Sequence, residues 1–267
     1  MAPGAGMLLI GTPCYAGTVS VPYLTSLLAT IRHCEQDGIE VELQHLAGES
    51  LLPRARNLIA NAFFRRQEFS HLLLIDPDLG FPADAAVRYL RSGRDVVCGL
   101  PPLPRLDVNR LRALARDIPD EAAVAASLPY PFAPRPGAVP DGSGLLPVAY
   151  GPAAFMMLSR RALRRMAEAY PALRYRRSYV DSGDAPYKKW AFFDPVIDSR
   201  TRESLPEDYA FCRRWTALGG EIHADVTGTF TRSGAYAYTG DYRTWLTVAE
   251  GRATRDGPLF DGRRPGM

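Results

Sequence analysis

The chain has 267 residues, of which 46% are hydrophobic, and a formal net charge of +3. That is enough apolar material for one substantial core, and too little positive charge to argue for a nucleic-acid partner. No stretch approaches the roughly 20 apolar residues that a membrane helix needs, and Met1 to Ile10 lacks the basic start of a signal peptide, so the expected compartment is the cytoplasm.

The first half alternates apolar runs with helical patterns. Met7 to Gly11 reads as a strand that ends in a turn at Thr12-Pro13. Val21 to Cys34 has helical spacing, Glu40 to Leu46 alternates as a half-buried strand does, and Leu52 to Arg66 is helical again. His71 to Ile75 is a continuous apolar run, typical of a central parallel strand. Ala83 to Arg91 reads as a short helix and Asp95 to Gly99 as another buried strand. Strands alternating with helices imply βαβ units and a mostly parallel sheet.

Pro101 to Gly144 breaks this rhythm. It is rich in proline and glycine, with one weak helical stretch at Val108 to Ala115, and reads as a long loop excursion. Beyond it, Gly151-Pro152 forms a turn before the apolar run Ala153 to Leu158, and Arg160 to Ala169 is helical. Pro206 to Leu218 reads as a helix whose start, Ser204-Leu-Pro-Glu207, fits a capping box. Glu221 to Asp225 reads as a strand, and the Gly/Pro/Arg-rich tail after Asp256 as frayed.

The four cysteines, Cys14, Cys34, Cys98 and Cys212, form no C-x-x-C pair, which argues against zinc and against a disulfide framework. The four histidines are isolated and suit structural roles. The chemistry-bearing pattern is Asp76-Pro77-Asp78, directly after the apolar strand. Open α/β sheets bind ligands at the carboxyl ends of their strands. Two carboxylates one residue apart can hold a divalent cation against a diphosphate; alternatively, Asp76 caps the turn and Asp78 is solvated. Asp208 shares a helical stripe with Cys212 and Trp215, which points its carboxylate toward the core or a cleft. Glu207, by contrast, is accounted for by the capping box and the helix dipole.

Several motifs occur in an order that resembles one group of proteins. They are Ala55-Arg-Asn57, Leu72 to Pro82 (hhhIDxDhGFP), Asp95-Val-Val-Cys-Gly99, Gly151 to Leu158, Phe192-Phe-Asp-Pro195, Glu207 to Arg214 and Gly234 to Asp241. Over residues 7–245 this series is similar to GT-A glycosyltransferases, in a bacterial and viral group related to family 2 enzymes and mannan-polymerase-type proteins. The resemblance implies an α/β fold of GT-A (Rossmann-like) type with a mostly parallel central sheet flanked by helices. It implies one domain over 1–267: a nucleotide-sugar-binding half at 7–100, a variable loop region at 101–145, an acceptor-side half at 146–250 and a tail at 251–267.

The same resemblance implies a glycosyltransferase that moves a sugar from a nucleoside-diphosphate sugar to a hydroxyl-type acceptor, whether saccharide, lipid-linked or small molecule. Thr12, Pro13, Tyr15, Arg56, Asn57, Asp76, Asp78 and Arg232 fall on the donor side. Gly151, Phe193, Asp194 and, more weakly, Asp198 fall on the sugar and acceptor side. Asp208, or failing that Glu207, is the base in an inverting reaction. Asp78 and Asp76 would carry Mn²⁺ or Mg²⁺. In related sequences a histidine, a further metal ligand, stands where this chain has Arg232. Arginine offers no lone pair to a cation, so Arg232 is expected near Asp78, neutralising a diphosphate directly. The alternatives are a nucleotidyltransferase and a non-catalytic nucleotide-sugar-binding protein. The sequence Gly11 to Tyr15 lacks the Gly-rich basic loop expected of the former.

Overall fold

The computed structural model of the chain describes residues 7–176, 188–199, 201–234 and 236–248. Strand β1 (Met7–Pro13) is buried almost throughout and pairs in parallel with β2 (Val41–Leu46) on one side and β3 (Phe69–Ile75) on the other. Helix α1 (Val21–Gln36) starts at Ser20, whose hydroxyl accepts from the Tyr23 N–H at 3.2 Å. Helix α2 (Leu52–Arg65) lies so close to β1 that a Cβ on Gly11 would sit 2.3 Å from Ile59 Cγ2, so only glycine fits there.

The chain continues through β4 (Leu79–Gly80), α3 (Ala85–Arg91), β5 (Val96–Cys98), α4 (Val108–Leu114), α5 (Asp120–Ala126) and β6 (Ala133–Pro134). It returns in β7 (Leu145–Tyr150), β8 (Phe155–Ser159) and α6 (Arg160–Ala169), followed by the short pairs β9 (Arg174–Tyr175) with β10 (Lys189–Trp190) and β11 (Val196–Ile197) with β12 (Ser204–Leu205). Last come α7 (Glu207–Ala217), β13 (Ile222–Asp225), β14 (Thr229–Arg232) and β15 (Tyr238–Asp241).

Eight strands form the central sheet in the order β2-β1-β3-β8-β5-β13-β7-β6. The pairings leave six running one way, with β7 and β8 opposed, so the expected mostly parallel α/β sheet flanked by helices is present. One face packs on α2, α6 and α7 through Phe63, Leu163, Met166, Phe211 and Trp215. The other packs on α1 and α3 through Tyr23, Leu27, Val87 and Tyr89. Arg160 ties α6 to α2: its guanidinium donates to the carbonyls of Phe63, Phe64, Arg66 and Phe69, which close the end of α2 and lead into β3.

Three features differ from the sequence reading. The excursion at 101–144 is not a bare loop. It holds α4, where the weak helical stretch lies, and also α5, whose Ala123 and Ala126 are buried on Leu114. The capping box before α7 is absent, because Ser204 is in a strand, Pro206 is the cap residue without a side-chain bond, and Glu207 is drawn away to an arginine. Finally, β4, β14 and β15 build a separate three-stranded sheet over the end of β3. The tail after Asp256 lies outside the described residues. The four cysteines are buried and free, and no helix among the described residues is long and apolar enough to cross a membrane.

Candidate functional site

Strand β3 ends at Ile75, and the turn Asp76-Pro77-Asp78 that follows is held from three directions. The Asp76 N–H donates to the Ala154 carbonyl at 2.8 Å, the Ser20 N–H to the Pro77 carbonyl at 2.9 Å, and the Ser233 N–H to the Asp78 carbonyl at 2.7 Å. Both carboxylates therefore project from fixed backbone. The pairing of β4 with β14 sets Arg232 opposite Leu79, next to Asp78. The Arg232 guanidinium then lies 3.1 Å from Asp78 Oδ2 and 3.7 Å from Asp76 Oδ2, and its Nε donates to the Pro102 carbonyl at 3.2 Å.

On the far side of Asp76 stands Arg56, which is 2% exposed although it sits on a helix. It donates to Asp76 Oδ1 at 2.8 Å and, through its other terminal nitrogen, to Glu207. The charges thus run in a chain: Glu207, Arg56, Asp76, Arg232, Asp78. Burial opposes the Arg56 charge, yet Asp76, Glu207 and Asp208 together hold its pKa above the ordinary value. Two polar atoms in this chain are buried without a hydrogen-bond partner, Arg56 Nε and Asp78 Oδ1. Burial pushes the Asp78 pKa up, with Arg232 pulling against it.

Asp208 opens α7 beside Glu207 but has no cationic hydrogen-bond partner. Its Oδ1 accepts the Tyr209 N–H at 2.8 Å, and the Ala153 N–H also donates to it. Burial, then the neighbouring Glu207, raises its pKa, while Arg56 lowers it. Of the two adjacent carboxylates, Glu207 is committed to Arg56 and Asp208 is free to take a proton. The turn that supplies Ala153 is tightly packed: a Cβ on Gly151 would meet Cys98 Sγ at 2.3 Å. Tyr150 and Tyr209 stack beside it with centroids 4.9 Å apart.

Asn57, the neighbour of Arg56, is a brace. Its amide nitrogen donates to Asp194 Oδ1 at 2.9 Å and its oxygen accepts the Phe193 N–H at 2.8 Å. Asn61, one turn further along α2, repeats the pattern on Trp190, accepting its N–H at 2.7 Å and donating to its carbonyl at 2.8 Å. Asn61 lies outside the motif series; its signal in the sequence is the N-x-x-x-N spacing that places both amides on one helix face. Phe193 is buried and stacked on Phe211 at 4.8 Å, which makes it a packing residue. Asp198 is buried, paired with Arg213 at 2.9 Å and bonded to the Thr201 N–H, so it holds the β11–β12 connection. Asp194 remains at the surface of a cavity of about 390 Å³ that it shares with Asn57.

At the end of β1, the Thr12 hydroxyl points inward to the Tyr23 hydroxyl at 2.5 Å and is spent there. Pro13 ends the strand, while Tyr15 is 63% exposed, its ring available to a ligand. A larger groove of about 800 Å³ lies between α1, α3 and β14, lined by Ser26, Gly80, Arg88 and Thr231 among others. Thr231 and Arg232 are successive strand residues and face opposite ways, so this groove is on the reverse side from the charge chain, and none of the charged residues described above lines it.

As arranged, these residues do not fit a cation held by both carboxylates. Asp76 has a guanidinium facing each oxygen, which leaves only Asp78 Oδ1. Among the described residues no group of three His, Cys, Asp or Glu side chains is placed to hold a metal ion.

No protein-family model matches the chain, and neither does any curated protein. Among solved structures it is similar to A197 from STIV, at 14% identity over 85% of this chain and 86% of that one, with a TM-score of 0.46. It is also similar to S. aureus TarS 1–349, at 13% identity over 93% of this chain and 64% of that one (TM-score 0.38). A third is a UDP-glucose pyrophosphorylase complexed with UDP-glucose, at 7% identity over 93% and 99% (TM-score 0.39). Likeness at this level assigns this chain neither a substrate nor a reaction.

Proposed function

We propose that this chain transfers a glycosyl group from a nucleoside-diphosphate sugar to a hydroxyl acceptor. The observation that carries the reading is the charge chain at the end of β3 with its two unpartnered atoms, Arg56 Nε and Asp78 Oδ1. Buried polar networks are costly when incomplete. A nucleoside-diphosphate sugar meets this network from the open side: its hydroxyls face the Asp78 carboxylate and its phosphate oxygens accept from Arg232, while Arg56, buried behind Asp76, holds that carboxylate in place. Arginine forks suit phosphate, since they present paired donors in a plane.

The reaction follows from these positions. The bond between the anomeric carbon and the β-phosphate oxygen breaks, and its electron pair stays on that oxygen, where Arg232 offsets the growing charge. The acceptor oxygen bonds to the anomeric carbon. In an inverting course its proton passes to Asp208, whose raised pKa makes it a stronger base than an ordinary aspartate. Tyr15 offers an exposed ring to the nucleobase.

The test is thermal unfolding with UDP-, GDP- and dTDP-sugars, followed by an assay for nucleoside diphosphate release. A ligand at a hundred times its Kd adds about 2.7 kcal/mol to apparent stability. Stabilisation with release of the diphosphate is expected. If no nucleotide sugar stabilises the protein, the reading fails. Pyrophosphate release from a nucleoside triphosphate plus a sugar 1-phosphate would replace it with nucleotidyl transfer, and stabilisation without turnover would replace it with a binding protein.

A further inference from the structure

The net charge of the chain is concentrated in one stretch of the sequence. Residues 174–190 hold five cations (Arg174, Arg176, Arg177, Lys188, Lys189) against two carboxylates (Asp181, Asp184), an excess equal to the +3 of the whole chain. The rest of the sequence is electrically balanced. The only two lysines of the protein, Lys188 and Lys189, are both in this segment.

Of these cations, Arg174 lines the cavity of about 390 Å³ beside the charge chain, and Arg176 and Lys188 are the next residues along the same β9–β10 pair. Arg174 and Tyr175 of β9 line it, as do Leu173, Arg54, Asn57 and Asp194. Asn57 is the residue next to Arg56, so the cavity and the donor-side arginine share one turn of α2. Arg54 is already held by Glu49. Arg174, Arg176 and Lys188, by contrast, are exposed and have no ion-pair or hydrogen-bonding side-chain partner among the described residues. Unpaired cations grouped at a cavity raise the local concentration of anions and steer them inward.

We infer that this cavity takes the acceptor, and that the acceptor is a sugar carrying a negatively charged group, a carboxylate or a phosphate, read by Arg174, Arg176 and Lys188. The inference rests on the glycosyl-transfer reading of the neighbouring site. The two walls divide the work: Asp194, exposed and with one oxygen held by Asn57, accepts from sugar hydroxyls, and the β9–β10 side supplies positive charge to the anion. Salt weakens this attraction, because exposed charges are screened within about 8–10 Å at physiological ionic strength.

The experiment is calorimetric titration of the full chain with glucose, glucuronate and glucose 6-phosphate at low and high NaCl. It is repeated on the triple variant Arg174→Gln, Arg176→Gln, Lys188→Gln. All three positions are exposed, so the variant keeps the core intact. Glucuronate, glucose 6-phosphate or both should bind more tightly than glucose, with affinity falling as salt rises. The triple variant should lose roughly tenfold in affinity for the anionic sugar. Whichever anion binds identifies the group. Equal binding of glucose and both anions, no binding of any of the three, or an unchanged triple variant would overturn the inference. UDP and GDP titrated into the same preparations report separately on the donor site: wild-type protein that binds neither nucleotide contradicts the glycosyl-transfer reading, whatever the sugars do.

Discussion

Two buried arginine–aspartate networks stand at strand ends of the central sheet, and they are built to different degrees of completion. At the end of β13, Asp225 is fully buried and accepts from Arg88 at 2.7 Å, the Tyr89 hydroxyl at 3.1 Å, and the Thr227 N–H and hydroxyl at 2.8 and 2.6 Å. At the end of β3, Asp76 and Asp78 share Arg56 and Arg232, but Asp78 Oδ1 and Arg56 Nε have no partner. A satisfied network braces the fold. An incomplete one leaves bonds that a bound water, ion or ligand can supply.

The sharpest separation of the two should come from turnover. Asp208→Asn is expected to lower it by about 10²–10⁴-fold, the usual contribution of a general base, while donor affinity by calorimetry stays near wild type. Because burial and Glu207 raise the Asp208 pKa, the acid limb of kcat/KM should lie above the usual aspartate range of about 4 and vanish in the variant. Wild-type turnover in Asp208→Asn would remove that residue from the chemistry. On the structural side, Asp225→Ala should cost about 3 kcal/mol in urea unfolding, the low end for a broken buried pair, since Arg88 keeps 31% side-chain exposure. If Asp225→Ala proves as stable as the wild type, the distinction between bracing and binding networks collapses.

The regular first half was readable because its strands and helices carry their own periodicity. The expected spans of α1, α2 and β3 differ from the observed ones by two residues or fewer at each end. Asp76 and Asp78 were legible for the same reason, being adjacent to an unmistakable apolar strand. Structure made by distant pairing was not. Two-residue strands such as β4 and β12 have no periodicity to detect, and β8 gives no local sign that it enters the sheet antiparallel between β3 and β5. Glu207 shows the limit most clearly. Its spacing from Ser204 satisfied a local capping rule, but an ion pair with Arg56, 151 residues away in sequence, decides its position. The family resemblance points to Arg232, yet its contact with Asp78 depends on the β4–β14 pairing.

A smaller effect is expected at Arg232. Arg232→Ala should weaken donor binding by about tenfold, the scale of one charge-assisted hydrogen bond, and wild-type binding should survive EDTA. Arg232→His should instead gain a response to added Mn²⁺, since imidazole can ligate a cation and guanidinium cannot. Donor affinity unchanged in Arg232→Ala, with no change in metal response, would remove Arg232 from the donor site.

The smallest effect tests the incomplete network directly. Asp78→Asn should leave stability at neutral pH within about 0.5 kcal/mol of wild type, or raise it, in contrast to Asp225→Ala. The reason is the direction of its pKa: burial raises Asp78 above its unfolded value even with Arg232 at 3.1 Å, so the ionised form is disfavoured in the fold. Between the unfolded and folded pKa values the native state binds more protons than the unfolded one, which makes the slope of unfolding free energy against pH negative. Wild-type stability relative to the variant should therefore fall as pH rises from about 4 through the raised pKa, and level off above it. Taking the difference between the two proteins cancels the other titrating groups, and an amide at this position still accepts from Arg232. If the difference rises with pH instead, the Asp78 carboxylate is stabilised by its surroundings, the network at the end of β3 is as complete as the one around Asp225, and the argument for a ligand there loses its foundation.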